Sequence, residues 1–347
     1  MAYAALDAID DAIDATKAFL LPFEFRKWLR LAVIMIFVAG GGGGGANWAS
    51  NAPQFADGGT GGQAPTDPGM ALPDAAVGGL VIAIVGIVLL LVLALLVVSP
   101  IMEFVFVESL FDREVHIRRY FSQNIGNGLR LLGFNLAIGI VGLLLIGIPF
   151  ALLLLGVIGG SETVAVAGTF LLLIPVIFLY ALVSGLITGL TNVFVVPVML
   201  AEDRGLLSAW GRVWSAMTDD IAEFLVYIVI SVILGIGVGI VAAFGAVFVL
   251  AVIGIPFGLV GFAIVSVGGT NLATLAVIAV LGIVAFVLFL LGTGLVQAPL
   301  QSFLRYYALL VLGDIAADLD PIPEIRAEIR GDAVGDATDD AATDGWE

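Results

Sequence analysis

Four carboxylates stand out in a chain with few charges: Glu103 and Glu108, and the adjacent pair Glu202 and Asp203. Each pair follows a proline that closes a long apolar run, Pro100 in "SPIMEF" and Pro197 in "VVPVML". Carboxylates grouped at such a boundary could coordinate a cation. They could equally pair with Arg113 and Arg204, and interfacial salt bridging is the plainer use. His116 is the only histidine, and one His without a Cys or Ser partner makes no catalytic site. With no cysteine there is no disulfide framework, zinc-thiolate site or thiol catalysis. The run Gly40–Gly45 could pass for a phosphate cradle, but no strand precedes it and no Lys-Ser or Lys-Thr follows, so it reads as a linker. No catalytic, cofactor-binding or metal-binding residue is therefore assigned, no cofactor is expected, and the chain is not expected to be an enzyme.

The elements that carry these residues are set by composition. The 347 residues are 61% hydrophobic and 12% charged, with a mean hydropathy of +1.16. Soluble domains are about 45–50% apolar and about a quarter charged. An excess of this size, carried in long runs, predicts an all-α, polytopic helical membrane protein. The charge balance is 29 acidic residues against 13 basic, a net −16. A nucleic-acid partner needs clustered positive charge, so that class is excluded. The lipid bilayer is the one expected partner; protein partners and oligomeric state are left open. Acid excess with scarce Lys and no Cys fits a protein of an extreme halophile, where carboxylates keep surfaces hydrated and mutually repelling. The acidic tail also supplies much of the excess. The first 20 residues carry four Asp and lack the basic start of a cleavable signal, so the first span is expected to act as its own insertion signal.

Six apolar segments are candidates to cross the bilayer: Trp28–Ala39, Gly78–Val98, Leu129–Ile148, Val164–Val196, Phe224 to about Leu250, and Leu272–Val296. All 13 basic residues fall on one side of that arrangement. The positive-inside rule makes that side the cytoplasm and places both termini there, in a multi-pass cell-membrane protein. Two spans within Phe224–Val267 are the alternative, which would move Arg305, Arg326 and Arg330 outside. The expected organisation is a cytoplasmic amphipathic helix over 1–27, a membrane domain over 28–330 with an outer Gly-rich loop at 40–77, and an acidic disordered tail at 331–347. In the first of these, Leu6, Ile9, Ile13 and Leu20 are expected to lie opposite Asp7, Asp10 and Asp14.

The pentapeptide "IGIPF" occurs at Ile146–Phe150 and again at Ile253–Phe257. Its register carries more weight than its identity. Pro100, Pro197 and Pro299 each end a span, and each leads into an acidic, aromatic and basic stretch. "IGIPF" falls within each interval, before a Gly-Gly turn. The chain is thus read as three parallel two-span repeats joined by cytoplasmic interfacial helices, with units at 101–197 and 198–299.

"FRKWLRLAVIMIFVAGGGGGG", "VVPVMLAEDRGLLSAWGRVW" and "LRYYALLVLGDIAADLDPIPEIR" together resemble an uncharacterised family of haloarchaeal six-span membrane proteins, over nearly the whole chain except the tail. The middle segment is more distantly similar to the membrane domain of some glycerophosphodiester phosphodiesterases. That similarity implies membrane helices only, because the hydrolase's acidic and His metal ligands sit in a separate soluble domain without a counterpart here. The family resemblance implies no known activity.

Pro149, Pro175 and Pro256 lie inside apolar runs and predict kinks. The spacings Gly185/Gly189, Gly235/Gly239 and Gly254/Gly258 predict close helix packing. The leading expectation is a non-enzymatic structural, assembly, or partner- or lipid-binding membrane component. The alternative is a permease or channel for a small solute, which a cavity lined by Asn135, Asn192 and Gln297 would favour.

Overall fold

The computed structural model describes residues 4–41, 75–158, 163–219, 221–269 and 271–331. Most of the Gly-rich loop, the turn at 159–162 and the tail from 332 lie outside the described residues. Every regular element among the described residues is helical: α1 Ala4–Leu20, α2 Phe25–Gly41, α3 Ala75–Phe111, α4 Ile117–Gly142, α5 Ile148–Ile158, α6 Thr163–Leu190, α7 Val196–Ala201, α8 Leu206–Asp219, α9 Ile221–Gly268, α10 Leu272–Ile315 and α11 at 323–331. Among the described residues five stretches are long and apolar enough to cross a membrane: Leu93–Phe111, Ile117–Leu153, Leu173–Ala201, Ile221–Gly268 and Ala273–Ile315. In the last four of these, large apolar side chains face outward, as at Leu145, Leu179, Ile233 and Phe286, whereas Leu93–Phe111 is mostly buried. In water such a surface would aggregate; against lipid it is the expected one.

α2, at 17 residues, is about 25 Å long, short of the ~30 Å hydrocarbon core. α9 runs the other way. It is one unbroken helix of 48 residues, about 72 Å, where two spans were the alternative. Pro256 lies inside it.

The prolines act in two ways. Pro100, Pro175, Pro256 and Pro299 are carried within helices. Pro149 and Pro197 each follow a π turn by two residues, Leu143–Gly147 and Thr191–Val195. A proline has no N–H to give and its ring crowds the carbonyl four residues earlier, so a widened turn just before it relieves both problems. The repeated "IGIPF" therefore sits in two local conformations.

The core lies at one end of the bundle. α1, α2, the second half of α3, Phe194–Met199 and the end of α10 bury their side chains there. α10 packs on α9, α2 and α1, while α3 packs on α2 and α4. α1 belongs to this core and is no separate peripheral element. Its buried stripe is Ala8, Ala12, Ala15 and Phe19, while Leu6 and Ile13 of the expected apolar face are exposed. Small side chains let α1 lie close against α10, and that proximity outweighs the larger residues one helical step away.

Close helix approach occurs away from the glycine pairs that predict it, not at them. A Cβ at Gly185, Gly189, Gly235, Gly239 or Gly258 would meet nothing within 4 Å. At Gly128 it would strike Ile101, at Gly142 the ring of Tyr180, and at Gly294 the backbone of Ala32. The first group lies on α6 and α9, which share no more than a glancing contact among the described residues.

Candidate functional site

Three prolines that close apolar runs converge on one buried polar cluster. Glu103, just past Pro100 on α3, is 1% exposed, and Arg305, just past Pro299 on α10, is 5% exposed. The Arg305 guanidinium donates to Glu103 Oε1 and to the backbone carbonyl of Asn192. That carbonyl is available for a local reason. The Val196 N–H donates to the Thr191 carbonyl in the π register. The same register would pair the Asn192 carbonyl with the N–H of residue 197, which is proline. Arg305 fills the place of the missing donor. It also lies over the Phe106 ring at 5.9 Å.

Aromatic packing surrounds the cluster. Tyr227 on α9 meets Phe194 with centroids 5.1 Å apart and stacks on Tyr307 at 5.8 Å. Tyr306 donates to the Leu110 carbonyl at 2.9 Å. The π turn is held from outside by Trp210 on α8, whose Nε1 donates to Thr191 Oγ1 at 3.0 Å.

Beside Arg305 lies a recess of about 260 Å³ between the end of α6, α9 and α10. Its polar groups are Asn192, Gln297, Gln301 and Arg305; Gly189, Gly235 and Gly239 form much of the remaining wall. Two of the three residues named from sequence, Asn192 and Gln297, meet here. Asn135, on α4, does not line it.

Of the other candidate carboxylates, Glu108 and Glu202 have protein partners. Glu108 accepts from Asn124 Nδ2, and Asp112 accepts from Tyr120 at 2.6 Å, so both serve the α3–α4 seam. Glu202 pairs with Arg204 at 2.8 Å and Arg212 at 3.7 Å. Asp203 takes a left-handed φ of 49° in the turn after α7. Arg113 pairs with neither Glu103 nor Glu108; its guanidinium goes to Glu328 of α11 at 2.9 Å. α11 also places Arg326 within 3.3 Å of Asp314 and Asp320, and Arg330 between Asp11 and Asp314. The sequence pointed to Glu202–Arg204, two residues apart, but spacing gave no signal for Arg113–Glu328, Arg330–Asp11 or Glu103–Arg305, which join distant segments.

The remaining cations occupy another face. Among the described residues Arg26, Arg30, Arg118, Arg119 and Arg130 form no ion pair; all five lie on α2 or α4. Arg30, Arg118 and Arg119 border a recess of about 560 Å³ together with His116 and Ser122. Arg30 is steadied by donating to the Val115 carbonyl at 3.0 Å. His116 stands at the start of α4 without a side-chain cap, its Nδ1 3.4 Å from Glu114. Nearby, Lys27 donates to the carbonyls of Phe19 and Arg113. Burial lowers its pKa, as does Arg113 to a lesser degree, against the opposing pull of Glu24 and Glu114.

No curated protein matches the chain. No solved structure matches it either. A family of unknown function, DUF7544, matches residues 3–322, nearly the whole of the helical body described above. The chain belongs to that family.

Proposed function

We propose that the protein is a non-enzymatic, multi-pass component of the cell membrane that engages anionic lipid headgroups on its cytoplasmic side. In this reading six spans form three parallel two-span units, both termini are cytoplasmic, and the acidic surface suits a high-salt cell. The observation that carries the reading is the segregation of unpaired arginines. The protein has a net charge of −16, and its Lys17, Arg113, Arg204, Arg212, Arg305, Arg326 and Arg330 all have carboxylate partners. The unpaired arginines gather on α2 and α4 beside exposed Phe23, Phe25, Ile125 and Leu129. Cations beside apolar side chains suit the headgroup layer, where each basic residue contributes about 1 kcal/mol toward an anionic surface. Three guanidinium groups around the uncapped start of α4 offer charge-assisted donors to a phosphate.

The test is lipid retention by the full chain in nanodiscs of mixed phosphatidylglycerol and phosphatidylcholine. Wild type should enrich phosphatidylglycerol, and Arg30→Gln/Arg118→Gln/Arg119→Gln should lose that enrichment. Equal lipid composition around both proteins would sink the reading.

A second reading, a permease or channel for a small solute, draws on the recess where Asn192 and Gln297 meet. Solute uptake into proteoliposomes that Gln297→Leu abolishes would favour it.

A further inference from the structure

The recess beside Arg305 has three properties that together define what it can hold. The first is charge. Arg305 is the only ionisable side chain among the lining residues, and Glu103 neutralises it from the α3 side. A ligand carrying net charge would therefore meet no uncompensated partner. The amides of Gln297 and Gln301 present donors and acceptors in the same wall, which suits hydroxyl, ester or ether oxygens.

The second is size. A volume of about 260 Å³ is below the 300–1,000 Å³ common for drug-sized ligands, so it admits a polar fragment of glycerol-backbone size. The third is the opening. α6 packs on α4 and α5, α9 packs on α10, and α6 and α9 share no more than a glancing contact among the described residues. Their side chains beside it are apolar and outward-facing: Leu186 is 47% exposed, Ile236 60% and Ile240 54%. The recess therefore adjoins exposed apolar surface suited to acyl or isoprenoid chains.

We infer that this recess is a lateral lipid site. It holds the uncharged hydroxyl- and ester- or ether-bearing backbone of a membrane lipid, with the chains lying between α6 and α9. The site rests on the membrane-embedded part of the functional reading and is independent of the arginine face. Selectivity here is for the lipid backbone, whereas selectivity at Arg30, Arg118 and Arg119 is for headgroup charge.

The glycines supply the test. A side chain at Gly235 or Gly239 meets no other atom as it leaves the backbone, so it can enter the recess without displacing a helix. The full chain is reconstituted in phosphatidylcholine carrying a diazirine beside the acyl carbonyl, photolysed, and mapped by peptide mass spectrometry. Labelling should concentrate on 185–193 and 235–242 and fall at least fivefold in Gly235→Leu. Gln297→Leu/Gln301→Leu, which keeps the glycine backbone, should give the same loss. The Arg30→Gln/Arg118→Gln/Arg119→Gln variant should leave it unchanged. Even labelling of all outward apolar faces, or undiminished labelling in both recess variants, overturns the site. Suppression of labelling by soluble glycerol also overturns it, since the recess would then be a solute site.

Discussion

Glu103 and Arg305 stand 202 residues apart in sequence and form a buried ion pair whose arginine also caps the backbone carbonyl of Asn192. One guanidinium thereby joins α3, the π turn before α7 and α10, each beside a proline that closes an apolar run. Burying two charges is costly; Arg305 answers Glu103 Oε1, while Glu103 Oε2 is buried without a hydrogen-bond partner.

Loss of one partner should therefore be more damaging than loss of both. Arg305→Met leaves a buried carboxylate and an unpaired carbonyl, and should cost about 3–5 kcal/mol of stability. Glu103→Leu/Arg305→Met removes both charges and should recover much of the loss. Thermal unfolding in a fixed detergent gives the comparison; a double variant no more stable than Arg305→Met would contradict it.

The same pairing bears on transport chemistry. Proton relays through a membrane run along chains of ionisable groups, and among the described residues Glu103 is the only buried carboxylate. Proteoliposomes at high salt should not dissipate an imposed pH gradient faster than empty vesicles. Saturable proton flux abolished by Glu103→Gln would contradict this.

Gly294 is the contact point of α2 and α10. A Cβ there would collide with the Ala32 carbonyl, and backbone cannot yield as a side chain tip can. Gly294→Ala should destabilise by about 1–3 kcal/mol. Gly282→Ala, where a Cβ meets nothing within 4 Å, should cause no loss. Similar unfolding midpoints for the two variants would argue against the α2–α10 packing.

Lys27 predicts a pH dependence. Burial lowers its pKa from the ordinary 10.5, so between the lowered value and 10.5 the unfolded chain binds more protons than the folded one. Stability should rise with pH across that window, and the lysine's penalty should be full below it. Denaturation midpoints measured from pH 7 to 10.5 should climb in wild type and flatten in Lys27→Met. Parallel slopes would show that Lys27 is not the group responsible.

Much of the architecture was legible because lipid imposes a simple rule. Long apolar runs such as Ile221–Gly268 must be helical when no water is present to satisfy the backbone. The polar site was legible only in part. Asn192 and Gln297 stand out as amides near apolar runs, but Arg305 reads as one more interfacial arginine, and nothing local couples it to Glu103. Pairing across distant segments depends on helix order in space, which one sequence does not encode by spacing. The glycine pairs misled for a related reason. Spacing shows where backbones could approach, while α6 and α9 barely touch and a Cβ at Gly185, Gly189, Gly235 or Gly239 meets nothing within 4 Å. On α1, apolar size pointed to Leu6 and Ile13, whereas the seam against α10 selected the small face of Ala8, Ala12 and Ala15.

The proposed topology is a multi-pass chain with every basic residue on the cytoplasmic side. Since the protein has no cysteine, single-cysteine variants report on one site each. The most direct measurement is labelling of intact cells with a membrane-impermeant maleimide. Ser50→Cys and Ser161→Cys should react, and Ser208→Cys, beside Arg204 and Arg212, should react only after lysis. Labelling of Ser208→Cys in intact cells, or protection of both Ser50→Cys and Ser161→Cys, would contradict the account.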